Sequence, residues 1–103
     1  MSQDPKEDIQ KLIKSHDVFL FVKTHCPNSR AAREALTEAG VDFQVKELDL
    51  LPDPEMNAFQ DCLRDMTGAR TVPRIFVHGH CIGGNSDLQQ NYVQTGKIRE
   101  LCQ

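Results

Sequence analysis

Shortly after the apolar run Val18-Phe19-Leu20-Phe21-Val22 stands the pair Cys26-Pro27, and behind it Ala32, Ala35, Leu36 and Ala39 recur at helical spacing. Cys26 therefore sits where a buried strand hands over to a helix N-terminus, the end of a strand at which open α/β sheets bind ligands. The free N–H groups and the dipole at such a terminus favour a negative charge. A thiolate is such a charge, and positions of this kind lower a cysteine pKa from roughly 8.5 to about 3.5–7.5. Lys23, Arg30 and, when protonated, His25 are expected to act in the same direction. The competing reading is an inert, buried cysteine that merely precedes a helix. Ser29 falls three residues on, on the same helical face. A serine hydroxyl cannot attack a disulfide, but it can donate a hydrogen bond to a thiolate; its plainer role is that of a residue tolerated in a first turn.

The other cysteines, Cys62, Cys81 and Cys102, form no Cys-x-x-Cys pair with Cys26 or with each other. No histidine stands at zinc-finger spacing, and His16, His25, His78 and His80 make no ligand pattern, so no metal site is expected. Reduced thiols are expected throughout, with Cys62 and Cys81 structural and Cys102 open to adventitious intermolecular disulfides. The chain has 103 residues, a length suited to one domain over 1–103. Its 12 Lys+Arg against 15 Asp+Glu carry no nucleic-acid footprint. No apolar run approaches the length of a membrane span. The opening MSQDPKEDIQ is too polar for a secretory signal, so the expected place is the cytoplasm, or the mitochondrion if a transit peptide has been removed.

Around Cys26 the chain alternates helices and strands. Ile9, Leu12 and Ile13 predict a helix over 5–15, with Asp4 as its cap and Pro5 in its first turn. Val18–Val22 reads as a strand buried on both faces. The helix opened by Pro27 stops at Gly40, and the alternation of Val41, Phe43 and Val45 predicts a second strand. Leu48 and Leu50 lie on the other phase, a bulge or the strand's end. Met56, Phe59, Leu63 and Met66 space a further helix that stops at Gly68. Pro73 to His78, a turn at Gly79 and His80-Cys81-Ile82 read as a hairpin. Beyond Gly83-Gly84 a helix opens at Asn85, Ser86 or Asp87, with Leu88, Tyr92 and Val93 inward, and a short helix covers about 97–102. A β-α-β unit followed by a hairpin calls for a mixed four-stranded sheet with helices on both faces, an α/β fold.

Three segments, Lys23-Thr24-His25-Cys26-Pro27, Gly68-Ala69-Arg70-Thr71-Val72-Pro73 and Gly83-Gly84-Asn85-Ser86-Asp87, stand in an order and spacing that resemble the glutaredoxin family. The resemblance runs from about residue 10 to 102. It implies a thioredoxin-like fold and reduction of glutathione mixed disulfides, with Cys26 as nucleophile. It implies a cis Pro73 that turns the backbone of Val72 toward the nucleophile, where Thr71-Val72-Pro73 would pair with the cysteine of bound glutathione. Lys23, Arg70 and Gln60 match positions near the glycyl carboxylate. Ser86 and Asp87 match the site of the γ-glutamyl end, with backbone N–H groups for its carboxylate and Asp87 for its ammonium; Gly83-Gly84 would let the backbone approach the ligand closely, and Gly84 and Asn85 are counted with the glutathione-binding residues. Ser86 and Asp87 would also serve as plain helix caps.

The chain departs from the dithiol Cys-Pro-Tyr-Cys type at Asn28 and Ser29. The implied mechanism is then monothiol: Cys26 becomes glutathionylated, and a second glutathione leaves as oxidised glutathione. The implied partners are glutathione and glutathionylated proteins, with the chain itself a monomer. An alternative drawn from the same resemblance is a [2Fe–2S] cluster bridged between two subunits by cysteine and glutathione; Pro27 stands where cluster-binding members usually carry glycine or serine.

Overall fold

Val18–Val22 forms β1, and all five of its side chains are buried, as a strand covered on both faces requires. The computed structural model describes residues 4–102, without the side chain of Cys102; the expectation of intermolecular disulfides at Cys102 lies outside the described residues. Strand alternation sends Val18, Leu20 and Val22 to one face of the sheet and Phe19 and Phe21 to the other. Strand β2 (Gln44–Glu47) runs parallel to β1, with Phe19 opposite Gln44 and Val22 opposite Glu47. On its other side β1 pairs antiparallel with β3 (Arg74–Val77), which turns into β4 (His80–Gly83). The order β2-β1-β3-β4 is the mixed four-stranded sheet that the element order calls for.

Helices close both faces. Helix α1 (Pro5–Ser15) and α3 (Asp53–Thr67) bring Ile9, Ile13, Phe59 and Leu63 onto Phe19, Phe21 and Phe76. The three phenylalanines meet in tilted and edge-on pairs with ring centroids 5.0 and 5.8 Å apart, the favoured geometry for aromatic rings. On the opposite face α2 (Pro27–Glu38) and α4 (Asn85–Leu88) set Ala32, Leu36 and Leu88 on Leu20, Val22 and Ile75. Ile98 and Leu101, from the closing 3₁₀ turns Lys97–Cys102, complete that core. The cap of α1 is as expected: Asp4 Oδ1 accepts the Lys6 N–H at 3.0 Å.

Three boundaries differ from the sequence pattern, and at a fourth, Leu48, one of two open alternatives is realised. The second strand starts at Gln44 rather than Val41. Val41 and Phe43 do pack in the core, but the Val41 N–H donates to the Leu36 carbonyl at 3.0 Å, closing off the end of α2 rather than joining the sheet. The phase change at Leu48 is the strand's end: a 3₁₀ turn, Leu48–Leu50, buries Leu48 and leaves Leu50 71% exposed. Strand β3 is trimmed to Arg74–Val77, with His78 in the left-handed region at φ 51° next to Gly79. The helix after Gly84 is one α turn that widens into a π turn, Gln89–Val93, although Leu88, Tyr92 and Val93 do face the core.

Because Leu20 is fully buried between the helical layers, Leu20→Ala is expected to lower stability by about 2–5 kcal/mol. Leu50→Ala, at an exposed position, is expected to stay within about 0.5 kcal/mol of the parent. Urea denaturation of the two variants checks the contrast.

Candidate active site

The loop between β1 and α2 ends on Cys26, the N-cap of α2, whose backbone is extended (φ −93°, ψ 118°). Its carbonyl starts the helix by accepting the Arg30 N–H at 3.0 Å. Pro27, first in the helix, has no N–H to leave unsatisfied. The neutral thiol makes no close capping bond; the donors of the first turn come into play when it ionises. Partial burial pushes the Cys26 thiol up, but the Ser29 hydroxyl, the N–H groups of Ser29 and Asn28, and the charge of Lys23 pull it down further. The balance lies below the ordinary cysteine value. Arg30 and His25 do not add to this as their nearness in sequence suggests. Both are exposed, where water screens a charge, and Lys23 is the cation that bears on the sulfur.

Ser29 is buried, and its Oγ accepts the Lys23 N–H at 3.4 Å, which leaves the hydroxyl proton for the sulfur. Across the loop, the Cys26 thiol donates to the Val72 carbonyl, with Sγ 3.8 Å from the oxygen. The Val72–Pro73 peptide is cis, as the resemblance implies. A third tie comes from Asp49: both carboxylate oxygens accept the Thr24 N–H at 3.0 Å, and one also accepts the Thr24 hydroxyl at 2.6 Å. The Thr24 hydroxyl is the main reason the Asp49 carboxyl lies below its usual range, against a smaller upward push from burial.

Asp49 escaped the sequence reading, since 25 residues separate it from Thr24. The signal lay in the parallel register: with Val22 opposite Glu47, two further residues on each strand bring Thr24 beside Asp49.

The other expected residues fall into three groups, and Arg70 and Gln60 line neither of the two clefts described next. Thr71, Val72, Pro73, Gly84, Asn85, Ser86 and Asp87 line one cleft of about 250 Å³, together with Asn28 and Arg74. A larger cleft of about 650 Å³ is lined by Lys23, Ser29, Arg30 and Arg33 among others, and contains none of residues 71–73 or 84–87. Arg70 is tied to Asp61, Nε to Oδ1, at 3.2 Å. Gln60 is buried and donates its amide to the Arg70 carbonyl at 3.1 Å, so it holds the loop that carries Arg70. Asp87 accepts the Gly84 N–H at 2.9 Å. Gly83 has φ 114°, and a Cβ there would collide with the Asp87 carboxylate. A Cβ on Gly84 would lie 3.0 Å from Arg74 Nη2 and 3.2 Å from the Pro73 carbonyl oxygen. The glycine pair is therefore needed by the chain's own packing.

Cys62 and Cys81 pack against the phenylalanine core, and burial raises the Cys62 thiol. Both are free thiols, which suits their reading as structural.

A thiol at the strand–helix junction, facing a cis-proline loop at the same end of a mixed sheet, is the arrangement of the thioredoxin-like fold. Residues 18–82 match the family model "Glutaredoxin". The chain is 42% identical over 97 residues to "Glutaredoxin-2, mitochondrial" of Pongo abelii, covering 94% of this chain and 58% of that one. It thus spans little more than half of that relative's length. Against "Glutaredoxin-1" of Rattus norvegicus it is 38% identical over 100 residues, covering 93% and 94% of the two chains. Among solved structures it is similar to a buckwheat glutaredoxin–glutathione complex, with TM-score 0.88 at 28% identity over 95% of this chain and 86% of the other. The chain belongs to the glutaredoxin family.

Two outcomes test the loop. Ser29→Ala is expected to raise the Cys26 pKa, read as an upward shift in the pH midpoint of iodoacetamide alkylation. Asp49 has its folded pKa depressed, so its contribution to stability is complete above the unfolded value of about 3.9 and is lost as pH falls through the lower folded value. Asp49→Asn is expected to be less stable than the parent at pH 7, with the gap closing at pH 2–3; denaturation midpoints at the two pH values check this.

Proposed function

We propose that this chain is a glutathione-dependent thiol–disulfide oxidoreductase that reduces glutathione mixed disulfides through Cys26 alone. The observation that carries the reading is a half-buried thiol with a lowered pKa, at the N-terminus of α2, next to the Val72 carbonyl. The Cys26 thiolate attacks the glutathione sulfur of a protein–glutathione disulfide. The Cys26–glutathione bond forms, the old S–S bond breaks, and the target sulfur leaves as a thiolate that takes a proton from water. A second glutathione thiolate then attacks the sulfur of the Cys26-bound glutathione. Oxidised glutathione departs and Cys26 returns as a thiolate, so one glutathione thiol is oxidised for each mixed disulfide reduced, the other half of the oxidised glutathione coming from the mixed disulfide itself.

The surroundings supply what those steps need. The Ser29 hydroxyl and the first-turn N–H groups of α2 stabilise Cys26 each time it carries charge. The backbone of Thr71-Val72-Pro73 offers an extended edge along which the cysteine of glutathione pairs as an added strand. Lys23 and Arg70 take the glycyl carboxylate, with Gln60 setting the Arg70 loop. Asn85, Ser86 and Asp87, closely backed by Gly84, take the γ-glutamyl end. With serine at position 29 no disulfide closes within the motif, so the potential of a dithiol glutaredoxin does not describe Cys26. The protein acts as a monomer on glutathionylated proteins in a reducing compartment, the cytosol or the mitochondrion. Support for glutathione as the co-substrate comes from the complex formed by its buckwheat relative. Among the described residues no three His, Cys, Asp or Glu side chains gather to hold a metal. In a shared [2Fe–2S] cluster this chain would contribute Cys26, and glutathione and a second copy would bring the remaining ligands.

Turnover of a glutathione mixed disulfide, coupled to glutathione reductase and NADPH, is expected for the parent chain and expected to fall to background for Cys26→Ser. Ser29→Cys is expected to gain reduction of protein disulfides. No turnover by a parent chain whose Cys26 is reduced would overturn the reading; visible absorption after anaerobic reconstitution with iron, sulfide and glutathione would then identify the cluster alternative.

A further inference from the structure

Arg74 opens β3 directly behind the cis proline and is 8% exposed. Its Nε has no hydrogen-bond partner, and among the described residues no carboxylate lies within ion-pair distance of its guanidinium. Arginine is almost never buried to this degree without a partner. An unpaired buried charge works against folding, since the chain gives up hydration and gets no ion pair in return. The guanidinium reaches toward the backbone of Gly84, where Nη2 would lie 3.0 Å from an added Cβ, and it helps to line the cleft of about 250 Å³ with Val72, Asn85, Ser86 and Asp87. Asp87, the acid of that cleft, has an oxygen engaged with the Gly84 N–H. The cleft therefore holds a buried cation that forms no ion pair with Asp87 or any other described carboxylate, and its free donors are the complement of an anionic ligand group.

We propose that Arg74 is a specificity-determining residue whose guanidinium supplies the positive charge for the α-carboxylate of the γ-glutamyl group, between the Val72–Pro73 loop and residues 84–87. The assignment rests on the glutathione reading above and adds to it a cation at the γ-glutamyl end, where backbone N–H groups alone would otherwise serve. Charge-assisted bonds to carboxylate are the strong ones, and inside a cleft water screens them less.

The test pairs variants with a ligand lacking the one group in question. Mixed disulfides are prepared with glutathione and with 4-aminobutyryl-cysteinylglycine, which differs only in lacking the α-carboxylate. With the parent chain, the analogue's KM is expected to exceed that of the glutathione disulfide by ~10- to 100-fold. Arg74→Met is expected to raise the KM for the glutathione disulfide by a similar factor, to leave the KM for the analogue within about twofold, and to raise the melting temperature. Arg74→Lys, which keeps a charge but not the planar fork, is expected to fall between the two. Equal losses on both ligands, or a lowered melting temperature with KM unchanged, would make Arg74 a structural residue and overturn the proposal. A parent chain that turns over neither disulfide would sink the glutathione reading itself, a result distinct from turnover of both ligands with equal KM, which sinks the role of Arg74 alone.

Discussion

Helix α2 opens with N–H groups that its own carbonyls cannot reach, and this constraint organises the rest of the molecule. Every helix has such donors, and most proteins cover them with a serine, threonine or aspartate oxygen. Here the capping position holds Cys26, whose neutral thiol is a poor acceptor and makes no capping bond. The deficit is relieved when the sulfur ionises. The same unsatisfied donors that cost the helix a cap lower the energy of the thiolate, so a local weakness of the helix and the reactivity of the sulfur have one physical origin.

A charge stabilised in this way is useful only if the loop carrying it stays in place. Three ties from three parts of the chain hold it: Asp49 beyond β2 grips Thr24, Ser29 within α2 grips Lys23, and Val72 before β3 meets the sulfur. The sheet makes these ties meet. Parallel pairing of β1 and β2 carries both chains out at the same end, and antiparallel pairing of β1 and β3 brings the start of β3 to that end as well. The doubly buried β1, with leucine and valine on one face and phenylalanine on the other, is the beam from which all three are measured.

Much of this could be read from the residues. The fully apolar Val18–Val22, the Pro27 and Gly40 that bracket α2, and the Gly79 hairpin each report a strong local preference, and each lies where the pattern places it, within a residue or two. What could not be read depended on partners far along the chain. Val41 and Phe43 alternate like a strand because Val41 is buried and Phe43 half-buried against the core, yet the Val41 N–H is spent on α2 and not on the sheet. Asp49 looks like an ordinary polar residue between two leucines until the parallel register sets it against Thr24. Arg74 looks like a surface arginine beginning a strand, and nothing in its neighbours announces that it is buried. Arg30 and His25 are close to Cys26 in sequence, but proximity along the chain says little about exposure, which decides how far a charge is felt.

The turn that joins β4 to α4 carries a consequence for how this sequence can change. The space a side chain would need at Gly83 is filled by the carboxylate of Asp87, and that carboxylate is held there by the N–H of Gly84. Gly84 in turn is pressed between the Pro73 carbonyl and the end of Arg74. Four positions in two separate segments are thus interlocked by volume. A larger residue at 83 demands a smaller one at 87, and a smaller one at 87 releases the amide at 84. A library that randomises 83 or 84 alone would find each of them intolerant, whereas one that varies 74, 83, 84 and 87 together is the route to a differently shaped cleft.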